Sequence, residues 1–309
     1  MSDHKLINMI EQQYLLSSEV AGVILNALLG IYYDGLPTDK INYGEIGSYG
    51  RGTNNDTTPD IDIMYLGIPK DPQLGFFDWI EKGTYEITQT REGITTLAQV
   101  QEYDPKLAQA IKTSMQSMEH HFKCKGEAKF NFVRSWTVFP GVVFNFSLPV
   151  PEHGLLDFDI NLYHPVEYFG LEHARRFVKY FERIKQELGS ERAAQLILDI
   201  RQFKKTAKEI AINSNTGKID PAKKLTGVVL ETIFVYKFPP PNRTEVARKI
   251  LNLKSASFPA IHPDTDYIFP IQVVDEGLSL KDVLDAGWEC GLLAGERWET
   301  LIRTAKTLV

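Results

Sequence analysis

The chain has 309 residues, 43% hydrophobic and 24% charged, with two cysteines and a formal net charge of −6. That balance is the one of a soluble globular protein, long enough for two lobes or one large domain. Two cysteines far apart, Cys124 and Cys290, exclude a disulfide framework and a zinc site and point to a reducing cytoplasm. A pI near 5.7 argues against a long nucleic-acid partner, because gripping a phosphate backbone calls for a basic face.

In chain order, residues 5–33 read as one long helix ending near Gly35. Its apolar stretch, Val20 to Tyr33, contains Asn26 and is too short to span a bilayer, so it reads as a buried amphipathic helix and not as a membrane span or signal peptide. Strands are expected at Ile41–Gly47 and Ile61–Leu66, joined by a glycine turn and a short helix. A short helix is expected at Phe76–Lys82, and a long one over Thr95–Lys123, where apolar residues recur at helical spacing. Lys129–Leu148 reads as one or two strands broken at Pro140-Gly141, and Leu155–Leu162 as a further strand. Beyond Pro165 the texture turns helical: Leu171–Leu188, Glu191–Ala211 with Ser190 as N-cap, and Lys223–Phe238, which Pro239-Pro240-Pro241 stops. Arg243–Leu253 and Leu280–Thr307 read as helices, with a loop over Ser255–Gly277 between them.

The most informative segment is Gly47-Ser48-Tyr49-Gly50-Arg51-Gly52-Thr53, followed shortly by Asp60-Ile61-Asp62. Small residues in a tight turn can present backbone N–H groups and hydroxyls to a phosphate chain. Two aspartates two apart on a strand occupy one face, and hard oxygen ligands beside a phosphate cradle suit Mg²⁺-dependent phosphoryl transfer. No Gly-Lys-Ser/Thr follows the glycines and no Gly-x-Gly-x-x-Gly opens a long helix, so neither the Walker nor the dinucleotide pattern fits. Later, Asp157, Asp159 and Asn161 alternate with Leu156, Phe158, Ile160 and Leu162 in strict period two. His120-His121 read as complements to a helix C-terminus. Arg51 could pair with Asp56 or meet phosphates; His173, Arg175 and Arg176 read as a surface helix, and Tyr236 as a core aromatic.

On Gly47-Ser48, Gly52-Thr53 and Asp60-Ile61-Asp62, the sequence resembles the DNA polymerase β-like nucleotidyltransferase superfamily. Within it, the chain looks most like the branch of the cGAS/DncV-like (CD-NTase) enzymes, oligoadenylate synthase and archaeal CCA-adding enzymes. The resemblance covers roughly residues 40–240. It implies an α/β fold: a nucleotidyltransferase lobe with a mixed central sheet over 1–165, a mainly helical nucleotide-closing lobe over 166–309, and an active-site cleft between them. It implies a third carboxylate, for which Asp159 is chosen and Asp157 kept as alternate. Ile200 to Lys208 resembles the branch's helix with a triphosphate-binding lysine, which places that role on Lys204, and Lys224 to Glu231 resembles the next helix, whose start places Thr226 near the nucleotide.

The implied catalytic and metal-binding residues are therefore Asp60, Asp62 and Asp159, holding two Mg²⁺ ions with Mn²⁺ as the alternative. Gly47, Ser48, Thr53, Lys204 and Thr226 would bind nucleotide. The expected substrates are nucleoside triphosphates, ATP among them, with no membrane and no long nucleic acid; a regulatory or effector protein is a further partner to look for. The first reading is a cytoplasmic bacterial enzyme making a cyclic di- or trinucleotide in anti-phage defence. The second is a template-independent enzyme adding nucleotides to an RNA end, and the third an inactive nucleotide-binding scaffold, against which the intact aspartate set argues.

Overall fold

The computed structural model describes residues 19, 22–32, 42–53, 60–67, 97–122, 129–131, 135–136, 141–150, 154–163, 169–253, 279–289 and 292–309. The chain divides into two compact units, Met1–Glu167 and Tyr168–Val309.

Among the described residues the first unit contains six strands: β1 (Asn42–Ile46), β2 (Asp60–Gly67), β3 (Lys129–Asn131), β4 (Ser135–Trp136), β5 (Gly141–Val150) and β6 (Gly154–Tyr163). Their order is β1-β2-β6-β5-β3, with β4 on β5. β2 and β6 run parallel, and the other pairings among the described residues are antiparallel. The segment expected to form one or two strands before Leu148 thus contributes three. β5 and β6 pair along their whole length, from Gly141↔Tyr163 to Val150↔Gly154. Residues 22–32 are helical, and within this unit Leu25, Leu28, Leu29, Val100, Leu107, Ile111 and Met118 are buried.

The helix expected over 95–123 is two helices, Leu97–Tyr103 and Pro105–Phe122. Proline has no N–H and clashes with the carbonyl four residues back, so it sits best in a first turn. Asp104 supplies the new start: its carboxylate accepts the Leu107 amide at 2.9 Å. Lys106 then donates to the Tyr32 carbonyl at 3.0 Å, tying this helix to residues 22–32.

The second unit is built from helices Phe169–Leu188, Ser190–Ala211, Gly227–Val235, Arg243–Leu253, Leu280–Glu289 and Glu296–Leu308. Helix Ser190–Ala211 buries Ala193, Leu196, Ile197, Ile200, Phe203, Ala207 and Ala211, a stripe at spacings of three and four. That stripe meets Phe177, Phe181, Val229, Ile233, Phe234, Val246, Ile250, Leu284, Trp298 and Leu301 in one core. Phe203 and Phe234 meet edge to face with centroids 5.5 Å apart. Asp199, only 6% exposed, accepts the first amide of helix Arg243–Leu253 at 3.0 Å and the Gln195 amide at 3.1 Å.

Four boundaries here differ from expectation. Ser190 is the first helical residue; the N-cap is Gly189, whose φ of 74° lies in the left-handed region glycine favours, and no side chain caps the helix. The helix expected from Lys223 begins at Gly227, because Asp220 gathers the chain into a turn: its carboxylate accepts Ala222 N–H at 3.0 Å and its carbonyl the Lys223 and Lys224 amides at 3.1 Å. The same helix ends at Val235, ahead of the prolines that disfavour helical geometry before them. The helix expected over 280–307 is interrupted, and its second part starts after Gly295 at φ 60°. The short helix expected at 76–82 and the loop over 255–277 lie outside the described residues.

Candidate functional site

The glycine turn is a closed helical turn. Gly47–Arg51 forms a five-residue helix bracketed by Gly47 at φ 65° and Gly52 at φ 71°. Gly52 ends it as a left-handed cap, and the Thr53 amide returns to the Ser48 carbonyl at 2.9 Å, the long bond of such a cap. The Thr53 hydroxyl approaches the same oxygen at 3.4 Å, and Thr53 is fully buried. Arg51 is buried too, at 4% exposure, and Asp56 lies outside the described residues.

Register brings this turn to the aspartates. β1 pairs Ile46 with Asp62, and Gly47 is the next residue, so the turn starts at the N-terminal end of β2. On the other side of β2, Asp60 is the register partner of Asp159 and Asp62 of Asn161. Neighbouring strands lie about 4.8 Å apart, which sets the spacing of the Asp60 and Asp159 backbones. Asp157 precedes the first β2–β6 pair and stands opposite Ser147 on β5. It is two residues, roughly 6.6 Å of strand, behind the level of Asp60. Among the described residues, no three or more His, Cys, Asp or Glu side chains converge as a metal-binding group. His121 meets Glu19 at 3.6 Å, both about half exposed.

In the second unit Lys204 and Thr226 come together with a residue that sequence reasoning does not single out. Lys204, on helix Ser190–Ala211, forms an ion pair with Glu231 of helix Gly227–Val235. The Glu231 side chain is fully buried and that of Lys204 is 11% exposed. A lone acid within the apolar run Gly-Val-Val-Leu-Glu-Thr-Ile-Phe-Val was the available signal, because a buried acid requires a partner. Thr226 is the N-cap of that helix, yet its hydroxyl caps nothing; the oxygen is buried with no hydrogen-bond partner among the described residues. Gly227 follows, and a Cβ there would stand 3.4 Å from Lys204 Nζ. Of the other candidates, Tyr236 is 6% exposed in the core, with Lys249 donating to its hydroxyl at 3.2 Å. A groove of about 560 Å³ lined by Gln195, Asp199, Arg243 and Arg248 contains none of the predicted site residues.

No protein-family model matches the chain, and no curated protein matches it. By structure it is similar to CdnC from E. coli solved with ATP, at 14% identity and a TM-score of 0.40, over 98% of both chains. It is also similar to terminal uridylyl transferase 4 from Trypanosoma brucei with bound dUTP, at 15% identity and a TM-score of 0.34, over 93% of this chain and 68% of that one. A cytoplasmic RNA terminal U-transferase overlaps 79% of the chain at 13% identity and a TM-score of 0.33, and the overlap spans 59% of that protein's length. CdnC is a CD-NTase, and it and the uridylyl transferases are polymerase β-like nucleotidyltransferases.

Proposed function

We propose that the chain is a metal-dependent nucleotidyltransferase that joins nucleoside triphosphates by attack of a 3′-hydroxyl on an α-phosphate, with release of pyrophosphate. The observation that carries this reading is the register pairing of Asp60 with Asp159 on adjacent parallel strands, with Asp62 two residues on and the glycine turn at the same strand end. Three aspartates at neighbouring strand positions would offer hard, anionic oxygen donors, the chemistry that suits Mg²⁺ and Mn²⁺. Asp60, Asp62 and Asp159 would hold two such ions. When bound, the ions lower the pKa of the attacking hydroxyl and offset the charge of the departing pyrophosphate.

The remaining work belongs to positioning. Gly47 and Ser48 open a turn whose backbone N–H groups and hydroxyl would hold the β- and γ-phosphates. Thr53, tied to Ser48, would keep that turn closed as well as serve the nucleotide. In the second unit, Lys204 and Thr226 would bind nucleotide through an ammonium and a hydroxyl, and the unpartnered Thr226 oxygen supports that role. Such sites act through orientation and charge stabilisation, with little covalent participation by the protein.

The product proposed is a cyclic di- or trinucleotide made from free triphosphates, ATP among them, in the cytoplasm in anti-phage defence, with a regulatory or effector protein as a further partner. The acidic balance of the chain supports free nucleotides over a polymer. Among the described residues, no helix is long and apolar enough to cross a membrane. Incubating pure protein with labelled triphosphates and Mg²⁺, with and without RNA, tests the proposal. A small phosphatase-resistant product is expected; label on RNA would move the chain to the RNA-end class, and no turnover would leave a nucleotide-binding scaffold.

A further inference from the structure

We infer that Glu231 is a positioning residue: it holds the Lys204 ammonium at the start of helix Gly227–Val235, over the space left by Gly227, as an anchor for the terminal phosphates of a nucleoside triphosphate. This inference rests on the nucleotidyltransferase reading above and names a residue through which that reading's lysine acts.

The first ground is burial. Glu231 is fully buried and Lys204 nearly so, and in that setting each charge helps to compensate the other. The second is rigidity at both ends. Leu230 and Ile233, flanking Glu231 on its helix, lie in the core, and Phe203, the neighbour of Lys204, packs on Phe234. A lysine stem is otherwise flexible, so a fixed carboxylate is what gives the ammonium one place.

The third ground is space. Gly227 is not among the glycines with positive φ, so its backbone does not require glycine. What a side chain there would meet is the Lys204 head, with Nζ at 3.4 Å and Cε at 3.6 Å, and Glu231 Oε1 at 3.7 Å. An alanine methyl fits at those distances but fills the approach to the ammonium. The fourth is the neighbouring hydroxyl: Thr226 Oγ1, one residue earlier, is buried with no partner among the described residues. The ammonium stands 3.4 Å from a Cβ built at Gly227, the residue after that hydroxyl and the first of a nine-residue helix, so ammonium, hydroxyl and opening amides gather at one helix start, a donor set for phosphate oxygens.

The test measures binding of each of the four ribonucleoside triphosphates and of the matching monophosphates, with Mg²⁺, to wild type, Glu231→Gln and Gly227→Ala, with a thermal melt of each. Glu231→Gln is expected to weaken triphosphate binding about tenfold, the effect of a lost charge-assisted contact, with monophosphate binding unchanged. Gly227→Ala is expected to give the same selective loss with its melting temperature unchanged or raised, since alanine favours a helix over glycine. It decides the matter if Glu231→Gln does not fold. Unchanged triphosphate affinity in a folded variant, or an equal fall for mono- and triphosphates, would reduce Glu231 to a structural residue and overturn the inference. A wild-type protein with no preference for triphosphates would instead bring down the nucleotidyltransferase reading, and this inference with it.

Discussion

The aspartate end of the sheet and the start of helix Gly227–Val235 both gather charge, but by different means. At the sheet end, Asp60, Asp62 and Asp159 stand at neighbouring register positions, so acids accumulate through strand pairing. At the helix start, Lys204 and Glu231 cancel each other inside a packed core. The first arrangement places three acids at adjacent strand positions, as the proposed cation site requires; the second pairs opposite charges within the chain. The difference teaches where to expect chemistry and where to expect positioning: acids at neighbouring strand positions suit a metal, and a lysine paired with a buried carboxylate suits a fixed donor.

The largest effect expected is at the sheet. Asp60→Asn combined with Asp62→Asn should lower turnover by on the order of a thousandfold or more while the melting temperature changes little, because ligands are removed and the strand backbone is not. Pyrophosphate release measured beside a melt checks this; near wild-type turnover would remove the sheet from the account. Asp159→Asn should approach the same loss, and Asp157→Asn should be much milder, since Asp157 precedes the paired positions. A reversed order would shift the site one alternation along β6.

At the helix start the expected signature is stability. Lys204→Met removes a charge that compensates the buried Glu231 carboxylate and should destabilise the protein by about 3 kcal/mol. Lys204→Met with Glu231→Leu should recover most of that, because two apolar side chains can replace a buried pair nearly neutrally. Urea denaturation of the single and double variants reads the contrast; a double variant less stable than the single would mean the two charges are not one unit. The smallest effect is at the turn. Ser48→Ala should weaken triphosphate binding by roughly 1–2 kcal/mol, as for a lost bond to a charged group. Gly47→Val should do worse, because φ of 65° is strained for a branched side chain.

These two regions were unequally legible in the sequence. The period-two run around Asp157 and Asp159 and the spacing of Asp60 and Asp62 follow from strand geometry, which acts locally, and both segments are strands. Register is not local: that Asp159, and not Asp157, is level with Asp60 depends on how two distant strands pair. Lys204 and Glu231 are 27 residues apart, and only the packing of their helices makes them a pair. Helix ends failed where a single residue outweighed periodicity, as Pro105 did with Asp104, Gly189 did beside Ser190, and Asp220 did ahead of Gly227.

The central claim is that Asp60, Asp62 and Asp159 act together as a cation site for triphosphate chemistry. Mn²⁺ binding, followed by electron paramagnetic resonance with and without a non-reacting ATP analogue, tests it most directly. Wild type should bind Mn²⁺ more tightly with the analogue present, the variant carrying Asn at all three positions should lose that binding while still folded, and Asp157→Asn should retain it. Equal Mn²⁺ binding by wild type and the folded triple variant would contradict the claim.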